Sequence, residues 1–321
     1  MSSETNSIDQ MPKKSPLSFQ VDLKKFEKAT DEEKRQQDVM SESVSFFKDG
    51  MRKLMKNPLA VGSIIVLIVI IAMILIVPHV VPYKYSQIIT VNGSRDKAAG
   101  NMAPFTYSEK EQAYMAEGGE VFPHIMGTDS MGRDYFIRVI YGTRVSLTVG
   151  LFAAVIVLLI GVVYGSISGY FGGKVDMVMM RIVDILMSVP SFLIIITLNI
   201  YMNAGIRTLV VTIGLFSWMG VARIVRAEVL SLRERDFILA SEGLGARKSW
   251  VITRHFARNV FSPVLVASTN SIASAILTES SLSYLGFGIS IPNPSWGGML
   301  EGAQTYILTH PSLAVYPGVC I

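Results

Sequence analysis

The residues that could carry chemistry are widely scattered in this 321-residue sequence. His79, His124, His255 and His310 lie far apart, with no H-E-x-x-H pair and no Cys-His cluster, so their spacing supports no metal site. Cys320 is the single cysteine, which excludes an intramolecular disulfide framework and a cysteine-ligated metal cluster. No serine occupies a G-x-S-x-G turn. Gly245-Ala246-Arg247-Lys248-Ser249 echoes a phosphate loop but lacks the glycine that directly precedes the lysine of a P-loop. The sequence therefore predicts a chain that is not an enzyme, binds no cofactor and has no ATP site of its own.

A second set of candidates is ionisable or polar residues at apolar stretches, where burial is costly and function is the default suspicion. Asp176, Arg181 and Asp184 precede one such stretch, and Glu279 closes another that carries Asn270 among several serines and threonines. Each set supports two readings. Arg181 either pairs with one of the acids at a helix end or acts on a substrate. The polar stripe around Asn270 either lines a water-filled path or hydrogen-bonds neighbouring helices.

The elements that position these residues follow from hydropathy. Half of the residues are hydrophobic and 17% are charged, against about a quarter charged in an ordinary soluble domain. Residues 60–77 are uncharged, rich in Ile, Val and Leu, and followed by Pro78. About 20 apolar residues span the roughly 30 Å hydrocarbon core of a bilayer, so this run reads as a transmembrane helix. Its distance from the N-terminus argues against a cleaved signal peptide. Further uncharged runs occupy residues 145–173, 185–206 with a kink expected at Pro190, 208–222, and 259–278. Gly161, Gly165, Gly169 and Gly173 form a four-residue repeat that would let a neighbouring helix approach closely. A sixth run begins at Leu313 and reaches Ile321, a rise of about 13 Å, so the expectation is a six-span plan with its last span truncated.

Outside the spans, residues 1–44 mix charges of both signs and read as a flexible tail. Residues 45–81 read as an interfacial helix leading into the first span, with Phe47, Met51, Leu54 and Met55 on one face and Lys48, Arg52, Lys53 and Lys56 around it. Residues 82–141 form a long loop with Asn92-Gly93 and Gly118-Gly119 as turn signals. The basic residues before the first span, and those at residues 223–258, place both segments in the cytosol. Arg133, Arg138 and Arg144 would then lie outside, against the trend. The formal charge of +4 is thereby assigned to membrane orientation rather than to nucleic acid.

Within residues 223–258, Asp236 to Gly245 reads as a short helix ended by glycine, with Phe237, Ala240 and Leu244 on one face, and a second helix begins near Lys248. Two readings stand: a knob with an apolar face for a partner, or a headgroup-bound loop. At this loop the sequence resembles the permease subunits of binding-protein-dependent ABC importers, whose hallmark is E-A-A-x-x-x-G followed by I-x-L-P. Here the glycine is Gly245, the triplet is Leu239-Ala240-Ser241 and the tetrapeptide is His255-Phe256-Ala257-Arg258, so the hallmark is degenerate. Longer stretches are similar to the second, shorter permease of the oligopeptide/dipeptide branch. They are Gly127-Thr128-Asp129-Ser130-Met131-Gly132-Arg133-Asp134, Tyr141-Gly142-Thr143-Arg144-Val145-Ser146-Leu147, and Met180 to Leu186 leading to Pro190. The last is Leu282-Ser283-Tyr284-Leu285-Gly286-Phe287-Gly288 running to Pro294-Ser295-Trp296-Gly297.

The resemblance implies an all-α polytopic transmembrane helical bundle in the bacterial inner membrane, with the transmembrane domain over residues 142–321 and a cytosolic N-terminus. It implies a second permease as partner, two cytosolic ATPases that hydrolyse ATP, and an extracellular binding protein that delivers peptide. By the same resemblance Asp236, Phe237, Ala240, Ser241, Glu242, Gly245, Arg247 and Trp250 belong to the ATPase-coupling loop. A nickel importer of the same family shares these motifs. A stand-alone ion-coupled transporter would instead use the acids as coupling sites.

Overall fold

The computed structural model describes residues 46–202, 205–251, 254 and 257–321. These fall into two units divided between Val66 and Leu67. The first holds α1 (Phe46–Lys56) and the start of α2 (Pro58–Val80). Asn57 starts α2: its Oδ1 accepts from Leu59 N–H at 3.0 Å, and Pro58 sits in the first turn, where a missing N–H costs nothing. No residue of α2 is buried by protein. A helix apolar all round and uncovered is built to meet lipid.

The second unit is a helical bundle. Its axis is α4 (Tyr135–Phe171), preceded in a compact cap by α3 (Glu109–Ala116) and followed by α5 (Gly173–Ser188), α6 (Ser191–Tyr201) and α7 (Ile206–Arg233). Two short helices follow, α8 (Asp236–Gly243) and α9 (Lys248–Val251), which make a knob. Next come α10 (Ala257–Tyr284), α11 (Trp296–Ala303) and α12 (Ser312–Cys320). Among the described residues four helices, α2, α4, α7 and α10, are each long and apolar enough to cross a membrane. The α5–α6 pair passes the same test jointly, but the two are bent by 73°. The break has a local cause. Pro190 forces the preceding residue out of the helical region, and Val189 is extended at φ −92°, ψ 129°. A simple kink was expected there; the structure has a sharp break between two helices, the geometry of a broken span or of a re-entrant loop.

Helix α4 is 37 residues long, about 55 Å at 1.5 Å per residue, so it exceeds the roughly 30 Å core and projects beyond it. Hydropathy placed its start near Val145 because the first turns carry Arg138 and Arg144. The helix begins at Tyr135, where Asp134 caps it by accepting from Ile137 N–H at 3.0 Å. Its main partner is α7, against which the glycine strip packs. A Cβ on Gly161 would come within 2.9 Å of Val221, one on Gly169 within 2.8 Å of the Arg226 carbonyl, and one on Gly165 would overlap the Ala222 carbonyl. Gly173, the fourth of the series, takes no part. It lies past the end of α4 with open space around it, because Gly172, at φ 61°, has already ended that helix. Helix α7 runs eleven residues beyond the hydropathy boundary at Ala222, to Arg233, because its basic residues find partners at that end of the bundle.

The cap contains a two-stranded hairpin, β1 (Thr90–Val91) and β2 (Ser94–Arg95), turned at Asn92 and Gly93, both at positive φ. Helix α3 is closed at its N-terminus by a capping box between Ser108 and Glu111.

Candidate functional site

At the knob, Ile238 and Val251 are fully buried and join Val225, Val229 and Val260 in one apolar cluster, which anchors α8 and α9 to the bundle. Phe237, Leu239, Leu244 and Trp250 are large exposed apolar side chains, Leu244 at 90%. Ala240 and Arg247 are exposed beside them, as is Asp236, which sits in the first turn of α8 where an acid favours the helix dipole. Ser241 is partly covered and its hydroxyl donates to the Phe237 carbonyl at 2.8 Å. Gly245 adopts φ 82°, a left-handed conformation that ends the helix, and Ala246 N–H donates back to the Ser241 carbonyl at 3.1 Å. The side chain of Glu242 lies outside the described residues, as do those of residues 252–253 and 255–258. The buried residue of α8, Ile238, was absent from the helical face read from the sequence. It sits beside that face at i+1 from Phe237, so the short helix divides its apolar residues between anchor and open surface.

The ionisable residues at the spans sort differently from expectation. Asp176 and Asp184 both face α7: the Asp176 carboxylate accepts from the Arg226 guanidinium and from Ser168 Oγ at 2.6 Å, and Asp184 pairs with Arg223 at 2.6 Å. Arg181 is exposed and pairs with neither acid. At about 100° per residue it lies some 140° around α5 from Asp176, so it cannot share that partner's face. The pairing residues come from α7, which a reading along one segment could not supply. Asn270 is exposed and lines a groove of about 210 Å³ between α7 and α10 with Ser217, Gly220, Ser271 and Ser274. Glu279 is fully buried, one turn before the end of α10, and accepts from Ser146 Oγ at 2.8 Å and Ser283 Oγ at 2.7 Å. The Ser146 bond stitches α4 to α10, and the Ser283 bond holds the carboxylate in place within α10.

The cap contains an ionic cluster that sequence spacing did not reveal. His124 is fully buried, with Nδ1 2.8 Å from Asp134 Oδ2 and Nε2 3.0 Å from Glu111 Oε1, and its ring stacks on Tyr83 at 5.0 Å. Burial disfavours the imidazolium, but the two carboxylates outweigh it and push its pKa up to about 9. Burial also opposes ionisation of Glu111, yet the bonds from His124 and from the Ser108 N–H hold its pKa below the usual carboxylate value. The Tyr83 phenol is driven up by burial and by these acids. The signal available in sequence was the capping box, Ser108 with Glu111, which fixes one carboxylate facing inward.

A second cluster uses the Gly-Thr-Asp motif. Asp129 Oδ1 accepts from the N–H groups of Met131 and Arg133 at 2.9 Å each, and Oδ2 from Arg133 Nε at 2.7 Å. Arg138 Nε lies 3.3 Å from the same oxygen, while its Nη1 donates to the Tyr85 carbonyl at 2.8 Å. Gly127 and Gly132 supply the positive φ the loop needs.

A helical bundle with four helices long and apolar enough to cross a membrane, a bent α5–α6 pair and a knob at one end fits a membrane-spanning protein. Residues 161–321 match the family model for the inner membrane component of binding-protein-dependent transport systems. Residues 45–114 match that for the N-terminal transmembrane domain of oligopeptide transport permease C. Among curated relatives, the oligopeptide transport system permease protein OppC of Bacillus subtilis is 35% identical over 285 residues, covering 88% of this chain and 86% of that protein. The dipeptide transport system permease protein DppC of the same organism is 35% identical over 269 residues, 84% of this chain and 77% of that protein. OppC of Escherichia coli is 36% identical over 277 residues, covering 86% and 84%. The chain belongs to the family of binding-protein-dependent transport inner membrane components, and it is a membrane-spanning permease of the ABC class.

Proposed function

We propose that this chain is one half of the membrane path of an ATP-driven importer of short peptides. The observation that carries the reading is the agreement of relatives named for oligopeptide and dipeptide transport across more than four-fifths of the chain. In this reading the chain is not itself an enzyme and binds no cofactor. Two cytosolic ATPases hydrolyse the ATP, a second permease completes the path, and an extracellular binding protein delivers the peptide.

The basic residues flanking α2 and those at residues 223–258 favour a cytosolic N-terminus and knob, with the cap outside. Arg133 and Arg138, which lie on the outer side against the positive-inside trend, are held by Asp129 within the cap. The knob presents Phe237, Ala240, Leu244 and Trp250 to the ATPase, with Asp236, Ser241, Glu242 and Arg247 around them and Gly245 setting the turn. An exposed apolar cluster with a charged rim marks a protein-interaction surface. Asn270 and its hydroxyl neighbours form a polar wall that faces the second permease, while Asp184, Arg181 and Glu279 serve helix packing and surface charge.

The test is uptake of a labelled tripeptide by cells lacking this subunit and complemented with it, together with co-purification of the ATPases. ATP-dependent uptake is expected with wild type, and with Gly245→Asp the subunit should insert while uptake and co-purification fall together. Nickel uptake in place of peptide would overturn the substrate, and wild-type uptake by the variant would overturn the docking role of the knob.

A further inference from the structure

Between the cap loop at residues 129–138 and the loop and helix at residues 283–303 lies a cavity of about 260 Å³. Its inner wall holds the guanidinium groups of Arg133 and Arg138, both side chains only 7% exposed. A guanidinium carries five N–H donors and no acceptor. Arg133 uses Nε on Asp129, and among the described residues neither of its Nη groups has an acceptor. Arg138 commits Nε and Nη1, to Asp129 and to the carbonyls of Tyr85 and Pro292, and among the described residues its Nη2 has no acceptor. Among the described residues neither guanidinium contributes an atom that is both sealed from solvent and unsatisfied, and both side chains line the cavity. Asp129 offsets one of the two positive charges. The other acid on the lining, Glu301, is exposed.

A nearly buried pair of guanidiniums with one carboxylate between them leaves one positive charge and several fork-shaped donors directed at a small space. Planar donor pairs of this kind match a carboxylate, to which arginine binds bidentately. The volume lies just under the roughly 300–1,000 Å³ of pockets that enclose drug-sized ligands, so it suits one or two residues rather than a long chain. The exposed Glu301 carboxylate favours a ligand whose other end is an amine. From this geometry we infer that the cavity binds the free C-terminal carboxylate of a short peptide, with Arg133 as the principal contact and Glu301 receiving the ammonium group of a dipeptide. The inference rests on the peptide-transport reading for its ligand, and it adds a binding site on this subunit's outer side that holds peptide by its end.

The test is saturation-transfer NMR on the assembled importer in lipid nanodiscs without nucleotide, using dialanine, dialanine amide and N-acetyl-dialanine. Dialanine should give signal and the amide should lose about tenfold in affinity, as expected for one lost charge-assisted bond pair. Arg133→Gln should abolish the difference between acid and amide. Because that variant also breaks the Asp129 pair, Glu301→Gln serves as an independent arm at an exposed position. It should weaken dialanine severalfold and leave N-acetyl-dialanine unchanged. Equal binding of acid and amide to wild type, or no effect of Glu301→Gln, overturns the site. Peptide uptake that continues without dialanine binding discards the site and leaves the transport reading standing. Binding without any peptide uptake keeps the site and discards that reading.

Discussion

The cap and the knob solve opposite problems. In the cap, charged groups are buried and paired within the chain: His124 lies between Glu111 and Asp134, and Asp129 holds Arg133 and Arg138. In the knob, Ile238 and Val251 are buried while Phe237, Leu239, Leu244 and Trp250 stay exposed. A buried pair is destabilising when one member is removed, because the other is left as an uncompensated charge. An exposed apolar side chain contributes little to its own fold until something covers it. The cap is therefore a structure completed by its own charges, and the knob is a surface that leaves apolar area uncovered.

The largest effect should come from the centre of the cap. His124→Ala leaves two acids, Glu111 and Asp134, facing each other across a vacated site, and breaking such a buried pair costs about 3–5 kcal/mol. Hydrogen exchange or limited proteolysis of residues 105–135 should show the cap opening, while the knob keeps its native protection. Coordinated loss at both ends would show that they are not independent. A His124→Phe variant that retains cap protection would show that stacking on Tyr83 matters more than the charges.

Much of the architecture was legible because lipid imposes it. Long uncharged runs revealed α2, α4, α7 and α10, and Pro190 marked the place where α5 and α6 part. What hydropathy misplaced were helix ends, since Asp134 caps α4 eleven residues before the apolar run and α7 continues through Arg223 and Arg226 to reach Asp184 and Asp176. Such pairings are non-local and leave no periodic trace. For the same reason the His124 cluster, assembled from three separated positions, was invisible, whereas the glycine strip was visible because helical spacing brings its members onto one face. The open face of the knob was read at Phe237, Ala240 and Leu244, and the anchor at Ile238 was missed because eight residues are too few to define a moment.

A smaller effect follows from pH, again in the cap alone. His124 is held up to about 9 from an ordinary 6.5, so its contribution is complete below about 6.5 and fades as pH rises through 9. Glu111 is held low, so its contribution is present above its ordinary value of 4.5 and is lost as pH falls below that. Cap protection should be greatest between about 4.5 and 6.5 and decline on the alkaline side. Exchange measured from pH 5 to 9.5, corrected for intrinsic rates, checks this, and in His124→Ala the alkaline decline should vanish. Protection that rises toward pH 9 would overturn the charged assignment of His124.

The smallest effect on the fold should come from the knob, and it sharpens the contrast most. Leu244 is 90% exposed, and a Cβ at Gly245 beside it would meet nothing, so the turn after α8 packs on no side chain among the described residues. Leu244→Ser should therefore change stability by no more than about 0.5 kcal/mol, as surface substitutions do. If the knob meets an ATPase through this face, the same change removes an apolar anchor from an interface core. Truncations of that kind commonly cost about 1–2 kcal/mol of binding, or roughly 5–30-fold in affinity. Ile238→Ala makes the reverse comparison: it empties a buried position at a cost of about 2–5 kcal/mol to the anchoring of α8. Thermal unfolding in detergent and ATPase pull-down, measured on both variants, should separate them: Leu244→Ser losing the partner with its melting unchanged, Ile238→Ala losing both. A Leu244→Ser subunit that melts early would place that side chain in the fold of the knob, and one that keeps wild-type affinity would move the docking surface toward Phe237 and Trp250.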